Sequence, residues 1–322
     1  MRSGWWALAV ALVLAACDGG GGTVPEADAD ACSDGVDNDA DGLVDCDDPR
    51  CQLYDFCRVD APEDGGPPPT PDAGPRPDGG PVGPGCSEPL DVVFVIDVST
   101  SMNDEVDSIR RGIDSIWAAA QALTTNTQLG LVVFVDDAVA VNDCAPFATV
   151  DALQSELMRW QEFTSTNEQP GGGASSNTDC PENSLDALHL AATSCPWRPG
   201  ATRVLIHVTD DTFEERPAVL SEDPIFGGGG IMVQRTYAET VSALVSQEIR
   251  VGAFAAPGAG EPCGAGSSPN VGRGFHEPYM GMDAIPVATG ARAWSIRDVR
   301  AGTLDMATAI NELLEDEYCT LF

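Results

Sequence analysis

The feature that most constrains the fold is the alternation, across residues 86–322, of short apolar runs with longer amphipathic stretches. The first run, residues 92–96, is apolar at every position, as in a strand covered by helices on both faces. Such an alternation predicts a doubly wound α/β fold, with helices flanking a mostly parallel sheet. The predicted strands cover residues 91–98, 128–135, 203–208, 250–255 and 291–296, and the predicted helices cover 103–123, 150–163, 184–194, 235–248 and 298–317. Two Gly- and Pro-rich stretches, residues 214–232 and 257–286, are predicted to be loops.

The residues before this region differ from it in composition. Between residues 58 and 85, nine prolines and seven glycines leave no basis for a packed core, so we predict a linker there. In chain order, the sequence predicts a signal peptide over 1–16, a flexible tether over 17–31, a small disulfide-rich segment over 32–57, the linker over 58–85 and the α/β domain over 86–322.

The N-terminal segment resembles the signal sequence of a bacterial lipoprotein. Arg2 precedes an apolar run that ends at Leu14-Ala15-Ala16-Cys17 and is too short to span a bilayer. This ending is similar to the lipobox, in which cleavage before the cysteine precedes its acylation. The resemblance implies a lipid on Cys17 and an exported envelope protein. We expect this protein at the outer membrane or cell surface rather than at the inner membrane. The alternative is an ordinary signal peptide with an incidental cysteine.

The charge balance bears on the class of partner. The chain has 51 acidic and 16 basic residues, a net charge of −35, and every basic residue is an arginine. Nucleic acid repels so acidic a chain, so we expect no nucleic-acid partner. Clustered carboxylates instead attract divalent cations.

The cysteines predict disulfides rather than zinc ligands. Of the eleven, ten remain after Cys17 is set aside, an even number in an exported chain. No Cys-x-x-Cys pair occurs, and the three histidines are isolated in the sequence. Cys86 and Cys319 flank the predicted α/β domain, and we expect a bridge between them.

A calcium loop is predicted within the Cys-rich segment. Residues 37–48 place acidic side chains at positions 1, 3, 5, 9 and 12 and a glycine at position 6, the spacing of an EF-hand loop. The flanking cysteines make the segment similar to the disulfide-stapled calcium repeats of thrombospondins. Its expected Ca²⁺ ligands are Asp37, Asp39, Asp41, Leu43, Asp45 and Asp48. The alternative is a solvated acidic stretch without an ordered metal.

A second candidate metal site follows the first predicted strand. Asp97, Ser99 and Ser101 form an Asp-x-Ser-x-Ser pattern on a strand-to-helix turn, and Asp210 follows a later predicted strand. Ligands of doubly wound folds bind at the carboxyl ends of strands, and hard oxygen donors suit Mg²⁺ or Mn²⁺. The pattern resembles the metal-ion-dependent adhesion site of von Willebrand factor A domains, whose fold is Rossmann-like.

The loop before the predicted helix 184–194 narrows this resemblance. Residues 177–187 read Asn-Thr-Asp-Cys-Pro-Glu-Asn-Ser-Leu-Asp-Ala, which is similar to a segment of integrin β-subunit I-like domains. The resemblance implies that Glu182, where most A domains have a threonine, binds the central ion directly together with Ser99 and Ser101. Asp97 and Asp210 then act mainly through water.

The same resemblance implies two neighbouring ions. A second site, for Ca²⁺, is expected from Asp136, Asn177, Asp179, the Pro181 carbonyl and Glu182. A third site is expected at Ser101, Asp104 and Glu105, where Glu105 replaces an aspartate of the family.

The resemblance to integrin β I-like domains implies a domain that binds a protein ligand, with an acidic side chain of that ligand completing the shell of the central metal. Together with the lipobox-like ending, it predicts a lipid-anchored binding protein. Its membrane contact is expected through the N-terminal lipid alone. An enzyme is not predicted, since no Gly-x-Ser-x-Gly or His-Glu-x-x-His motif occurs. The alternatives are a structural or calcium-responsive spacer and a metal-dependent hydrolase.

Overall fold

A computed structural model describes residues 88–172, 176–178, 180–221, 230–258 and 270–320, together with Val36 and Val44. Strands are β1 (Leu90–Asp97), β2 (Thr127–Phe134), β3 (Ala138–Ala140), β4 (Thr202–Val208), β5 (Val219–Leu220), β6 (Ile231–Met232), β7 (Ile249–Ala255) and β8 (Ala293–Ser295). Helices are α1 (Asn103–Leu123), α2 (Val150–Phe163), α3 (Ser184–Ser194), α4 (Tyr237–Ser246), α5 (Ile285–Ala288), α6 (Ile296–Arg300) and α7 (Met306–Glu317). No described helix is both long and apolar enough to cross a membrane.

The main sheet confirms the predicted doubly wound class. Its strand order is β3-β2-β1-β4-β7-β8, and only β3 runs antiparallel to its neighbour. The chain adds strands to one side of β1 and then, from β4 onward, to the other side. The strand order therefore reverses at β1, and in such sheets ligands bind beyond the carboxyl end of the strands at this switch point.

Two apolar layers cover the sheet because side chains of β1 alternate between its faces. Val92, Phe94 and Ile96 pack with α1, α2 and α7, whereas Val93 and Val95 pack with α3 and α4. All eight residues of β1 are buried, as the uninterrupted apolar run predicts for a central parallel strand.

Helices α1 and α7 approach each other closely at a glycine. A Cβ atom added to Gly112 would lie 2.6 Å from the Cβ of Ala307. Ala307 belongs to the same core as Ile109 and Ile113 of α1. The glycine therefore sets the distance between these two helices.

At the amino-terminal edge of the sheet, an ion pair fixes the start of β1. Asp91 is 4% exposed and accepts hydrogen bonds from the backbone N–H of Arg198 at 2.7 Å and from its Nε at 2.6 Å. The same guanidinium donates to the carbonyls of Leu90 and Asn126. A buried carboxylate is stable in such a place because a fixed cation accompanies it.

Several predicted boundaries were wrong. The predicted helix 298–317 is two helices, α6 and α7, because Gly302 adopts a φ of +69° and Asp305 caps α7 by accepting from the N–H of Thr308. Strand β8 is shorter than predicted because Ile296 already begins α6. The predicted loop 214–232 contains the β5–β6 antiparallel pair, and the predicted loop 257–286 includes the start of α5.

One disulfide is fully described, between Cys144 after β3 and Cys195 at the end of α3. Cys180 and Cys319 each take part in a disulfide as well. The bridge expected between Cys86 and Cys319 stays a prediction, because Cys86 lies outside the described residues.

We expect Gly112→Ala to lower the free energy of unfolding by about 1–2 kcal/mol, because the added methyl group overlaps the Cβ of Ala307. In an open helix the same change is stabilising by up to about 1 kcal/mol. Urea denaturation of Gly112→Ala in the wild-type and Ala307→Gly backgrounds measures the contact, since the methyl group has room only in the second. A stabilising effect in the wild-type background contradicts the prediction.

Candidate metal centre

Three strands deliver polar residues to one edge of the sheet. β1 ends at Asp97, Asp136 follows β2 by two residues, and Asp210 follows β4 by two residues. Because β1 lies between β2 and β4, the carboxyl ends of all three strands are adjacent. The edge is the one that the topology marks for ligand binding.

The residues of the Asp-x-Ser-x-Ser turn are connected by hydrogen bonds. Asp97, fully buried, accepts at Oδ1 from the backbone N–H of Ser99 and at Oδ2 from the hydroxyl of Thr209, both at 2.8 Å. The Ser99 and Ser101 hydroxyl oxygens are 3.2 Å apart, and Ser101 donates to Asp210 Oδ1 at 2.9 Å. Asp97, Ser99, Ser101 and Asp210 are therefore brought together as the sequence predicts.

Glu182 reaches this edge from the loop before α3, and its backbone is held between the segments that follow β2 and β4. Its N–H donates to the carbonyl of Thr212 at 2.9 Å, and the next N–H, of Asn183, donates to the carbonyl of Val135 at 2.8 Å. The Glu182 side chain is 1% exposed, and its Oε1 accepts from Asn177 Nδ2 at 2.8 Å. Its Oε2 is buried and has no hydrogen-bond partner in the structure.

Asp136 is positioned by an amide side chain from the connection after α2. Gln169 donates from Nε2 to Asp136 Oδ2 at 2.5 Å and accepts at Oε1 from the backbone N–H groups of Asp136 and Asp137. Asn183, the N-cap of α3, donates to the Asp136 carbonyl at 2.8 Å. These amides fix the Asp136 carboxylate without neutralising it.

Burial and neighbouring negative charges raise the pKa of three carboxylates at this edge. Burial first, and then the charge of Asp210, raises the pKa of Asp97 to about 7. Burial and the charges of Asp97 and Asp210 raise the pKa of Asp211 to about 8. Glu182 has its pKa raised well above the usual value, by burial and then by Asp97, Asp136 and Asp211. A cation among these groups would relieve both causes.

The donor set suits a hard divalent cation. Two hydroxyls, the unpartnered Glu182 Oε2 and the nearby carboxylates are oxygen ligands of the kind that Mg²⁺, Mn²⁺ and Ca²⁺ prefer. Within the described ranges, no three His, Cys, Asp or Glu side chains by themselves form a group that could hold a metal ion. An ion here would therefore depend on the hydroxyls of Ser99 and Ser101 as well as on carboxylates.

The remaining predicted ligands are placed as follows. Asn177 contacts Glu182 and has a buried Oδ1 without a hydrogen-bond partner, and Pro181 directly precedes Glu182. Asp104 is exposed on the first turn of α1, whereas Glu105 is buried. Outside the described residues lie Asp179, Cys17 and the predicted calcium ligands Asp37, Asp39, Asp41, Leu43, Asp45 and Asp48.

Four residues at the site were not predicted. Thr209 and Asp211 flank Asp210, so their position after a strand was a usable signal. Gln169 and Arg300 have no such signal, because Gln169 reaches the site from the connection after α2 and Arg300 reaches it from the end of α6. Arg300 pairs with Asp210 Oδ2 at 2.8 Å.

Comparison with known proteins agrees with the motifs. Residues 84–222 match a family model described as integrin beta-like protein A–E, vWA-like. The alpha-protein kinase vwkA of Dictyostelium discoideum is 29% identical over 127 residues, which are 39% of this chain and 19% of the kinase. Integrin beta-4 of Homo sapiens is 28% identical over 145 residues, which are 39% of this chain and 8% of the integrin.

The integrin beta-2 of Sus scrofa is 29% identical over 147 residues, again 39% of this chain and 18% of the relative. This chain thus spans less than a fifth of the length of each of these relatives. An aerotolerance-related membrane protein from Bacteroides fragilis superposes with a TM-score of 0.44 at 15% identity, covering 70% of this chain and 99% of that one. The family match, the integrin relatives and the doubly wound sheet together identify a von Willebrand factor A domain close to the integrin β I-like domain in this chain.

Proposed function

We propose that the protein binds a protein ligand through a divalent metal held at Asp97, Ser99, Ser101, Glu182 and Asp210. A domain close to the integrin β I-like domain supports a role in adhesion or protein interaction in general. The proposal adds the metal, with Mg²⁺ or Mn²⁺ at the central position. It also adds a ligand that presents an acidic side chain.

The observation that carries this proposal is the crowding of buried carboxylates around one unpartnered oxygen. Glu182 Oε2 is buried without a hydrogen bond, and the charges of Asp97, Asp136 and Asp211 all disfavour its ionisation. Leaving such groups unneutralised costs folding free energy. A divalent ion would offset that cost by neutralising the carboxylates.

Each residue of the proposed metal site has a distinct role. The Ser99 and Ser101 hydroxyls and Glu182 would hold the ion directly, while Asp97 is kept in place by Thr209 and the Ser99 N–H. A bound ion would supply positive charge to a carboxylate from outside the chain. Ser101 is exposed, so the site is open to solvent on that side.

Asp136, Asn177, Asp179, the Pro181 carbonyl and Glu182 are proposed to hold a neighbouring Ca²⁺. The buried, unpartnered Asn177 Oδ1 supports a ligand there. The fixed orientation of Asp136 by Gln169 supports it further, because a preformed ligand loses less entropy on binding.

We further propose that the domain is displayed on the bacterial envelope, at the outer membrane or cell surface, through a lipid on Cys17. The Leu14-Ala15-Ala16-Cys17 sequence supports this anchor. The acidic spacing of residues 37–48 supports a separate Ca²⁺ loop between the anchor and the domain.

In the presence of a chelator, we expect the free energy of unfolding to fall as the pH rises from about 5 to about 8. Asp97 and Asp211 keep protons in the folded state up to a pKa of about 7 and about 8, whereas the ordinary value is 3.8. Their contribution is complete at low pH and is lost as the pH rises through the folded pKa values. Added Mg²⁺ should recover more than about 1 kcal/mol at the higher pH.

Urea denaturation at both pH values, with EDTA or with Mg²⁺, measures this effect. Asp211→Asn should flatten the pH dependence in EDTA, because it removes one of the carboxylates whose pKa is raised in the folded state. Asp114→Asn is the matched control, because Asp114 is an exposed residue of α1 that lies well away from the end of the helix at the metal site. Equal slopes for wild type and Asp211→Asn would contradict the assignment.

Replacing Glu182 by Gln should abolish most of the rise in melting temperature that Mg²⁺ and Ca²⁺ produce. In chelator the variant should be at least as stable as wild type, because it removes a buried charge while Asn177 keeps its acceptor. Scanning calorimetry with each ion measures both effects, with Asp114→Asn as control. A Glu182→Gln protein that keeps the full ion-induced rise argues against the site.

The ligand itself can be sought by affinity capture from envelope extracts on the immobilised full chain. We expect a protein that is retained with Mg²⁺, released by EDTA and not retained by Asp97→Asn. Asp114→Asn should retain it as wild type does. Retention of the same protein by Asp97→Asn in EDTA rejects metal-dependent binding.

A further inference from the structure

Arg300, the last residue of α6, places its guanidinium between α1 and the end of β4. Its Nε donates to Glu105 Oε1 at 2.5 Å, and its Nη2 donates to Asp210 Oδ2 at 2.8 Å. The same Nη2 donates to the carbonyl of Ser101 at 3.1 Å and lies 4.0 Å from the sulfur of Met102. The guanidinium thus contacts three oxygen acceptors, two from residues 101–105 and one from the segment after β4.

These acceptors include two of the three residues predicted for the third ion. Ser101 and Glu105 both contact the guanidinium, while Asp104 is exposed on the helix surface. We propose that the Arg300 guanidinium takes the place of a third metal ion, so that the centre holds two exchangeable ions beside one cation built into the chain. This inference concerns the same centre as the proposed function but does not depend on a partner.

Burial explains why a cation is needed at this position. Glu105 is 1% exposed, and an unpaired carboxylate at that depth is strongly unfavourable. Its Oε1 is paired with Arg300, and its Oε2 is buried without a hydrogen-bond partner. A metal ion and the guanidinium disfavour each other here, because both are cations and both would lie beside the Glu105 carboxylate and the Ser101 carbonyl.

The pairing also determines how Asp210 can serve the central ion. Asp210 Oδ1 accepts from the Ser101 hydroxyl and Oδ2 accepts from Arg300. Both oxygens are therefore engaged within the chain. Asp210 contributes negative charge to the central ion and orients Ser101, rather than supplying a free oxygen. Arg300 is in this sense a positioning residue.

Counting bound Ca²⁺ by equilibrium dialysis of the full chain tests the inference. Arg300→Ala removes the cation and leaves space beside the Glu105 carboxylate, so this variant should bind one more Ca²⁺ per chain than wild type. The extra ion should disappear in Arg300→Ala/Glu105→Gln. Arg300→Lys keeps a positive charge there and should retain the wild-type count.

An unchanged count in Arg300→Ala overturns the inference, provided that its circular dichroism matches wild type. Glu105→Gln in the wild-type background is decisive even if Arg300→Ala does not fold. It should leave the ion count unchanged, whereas the loss of one ion would mean that a metal, not Arg300, occupies this position. If the metal sites of the proposed function bind no ion, the Ca²⁺ count should be lower by the same number in wild type and in every variant. The difference of one ion between Arg300→Ala and wild type should then remain.

Discussion

The structure depends on a group of carboxylates that are buried together where three parallel strands end. Asp97 makes the ionisation of both Glu182 and Asp211 less favourable, and Asp136 and Asp211 do the same for Glu182. The fold holds them there with backbone and amide hydrogen bonds, which orient the oxygens but supply no positive charge. The backbone hydrogen bonds of Glu182 and Asn183 to Thr212 and Val135, and that of the Gln169 amide to Asp136, help to maintain this arrangement.

The parts of the fold that sequence alone predicts are those decided by local pattern. The four long parallel strands and helices α1, α2 and α3 follow from apolar runs and helical periodicity, and α1, α2 and α3 have the predicted bounds. Asp97, Asp136 and Asp210 were identifiable because each lies at the carboxyl end of such a strand or within two residues of it. Strand β3 and the β5–β6 pair are only two or three residues long, so they carry too little pattern to be recognised.

The contributions that sequence could not reveal come from tertiary contacts between distant segments. Gln169 reaches Asp136 across 33 residues, and Arg300 reaches Glu105 across 195. Arg300 lies beyond residues 84–222, the part matched by the family model. The division of the predicted C-terminal helix matters here, because it leaves Arg300 at the end of a short helix, next to the site, instead of within a continuous one.

Strand β1 carries a buried carboxylate near each end, and the two differ in how their negative charge is balanced. At one end Asp91 is neutralised by Arg198, which the chain can never release. At the other end Asp97 has only hydroxyl and amide donors as its hydrogen-bond partners among the described residues. One strand thus combines an internal counterion with a dependence on the surrounding medium. The ionic composition of the surrounding solution would then affect the carboxylate at the second end, while the charge balance at the first end stays constant.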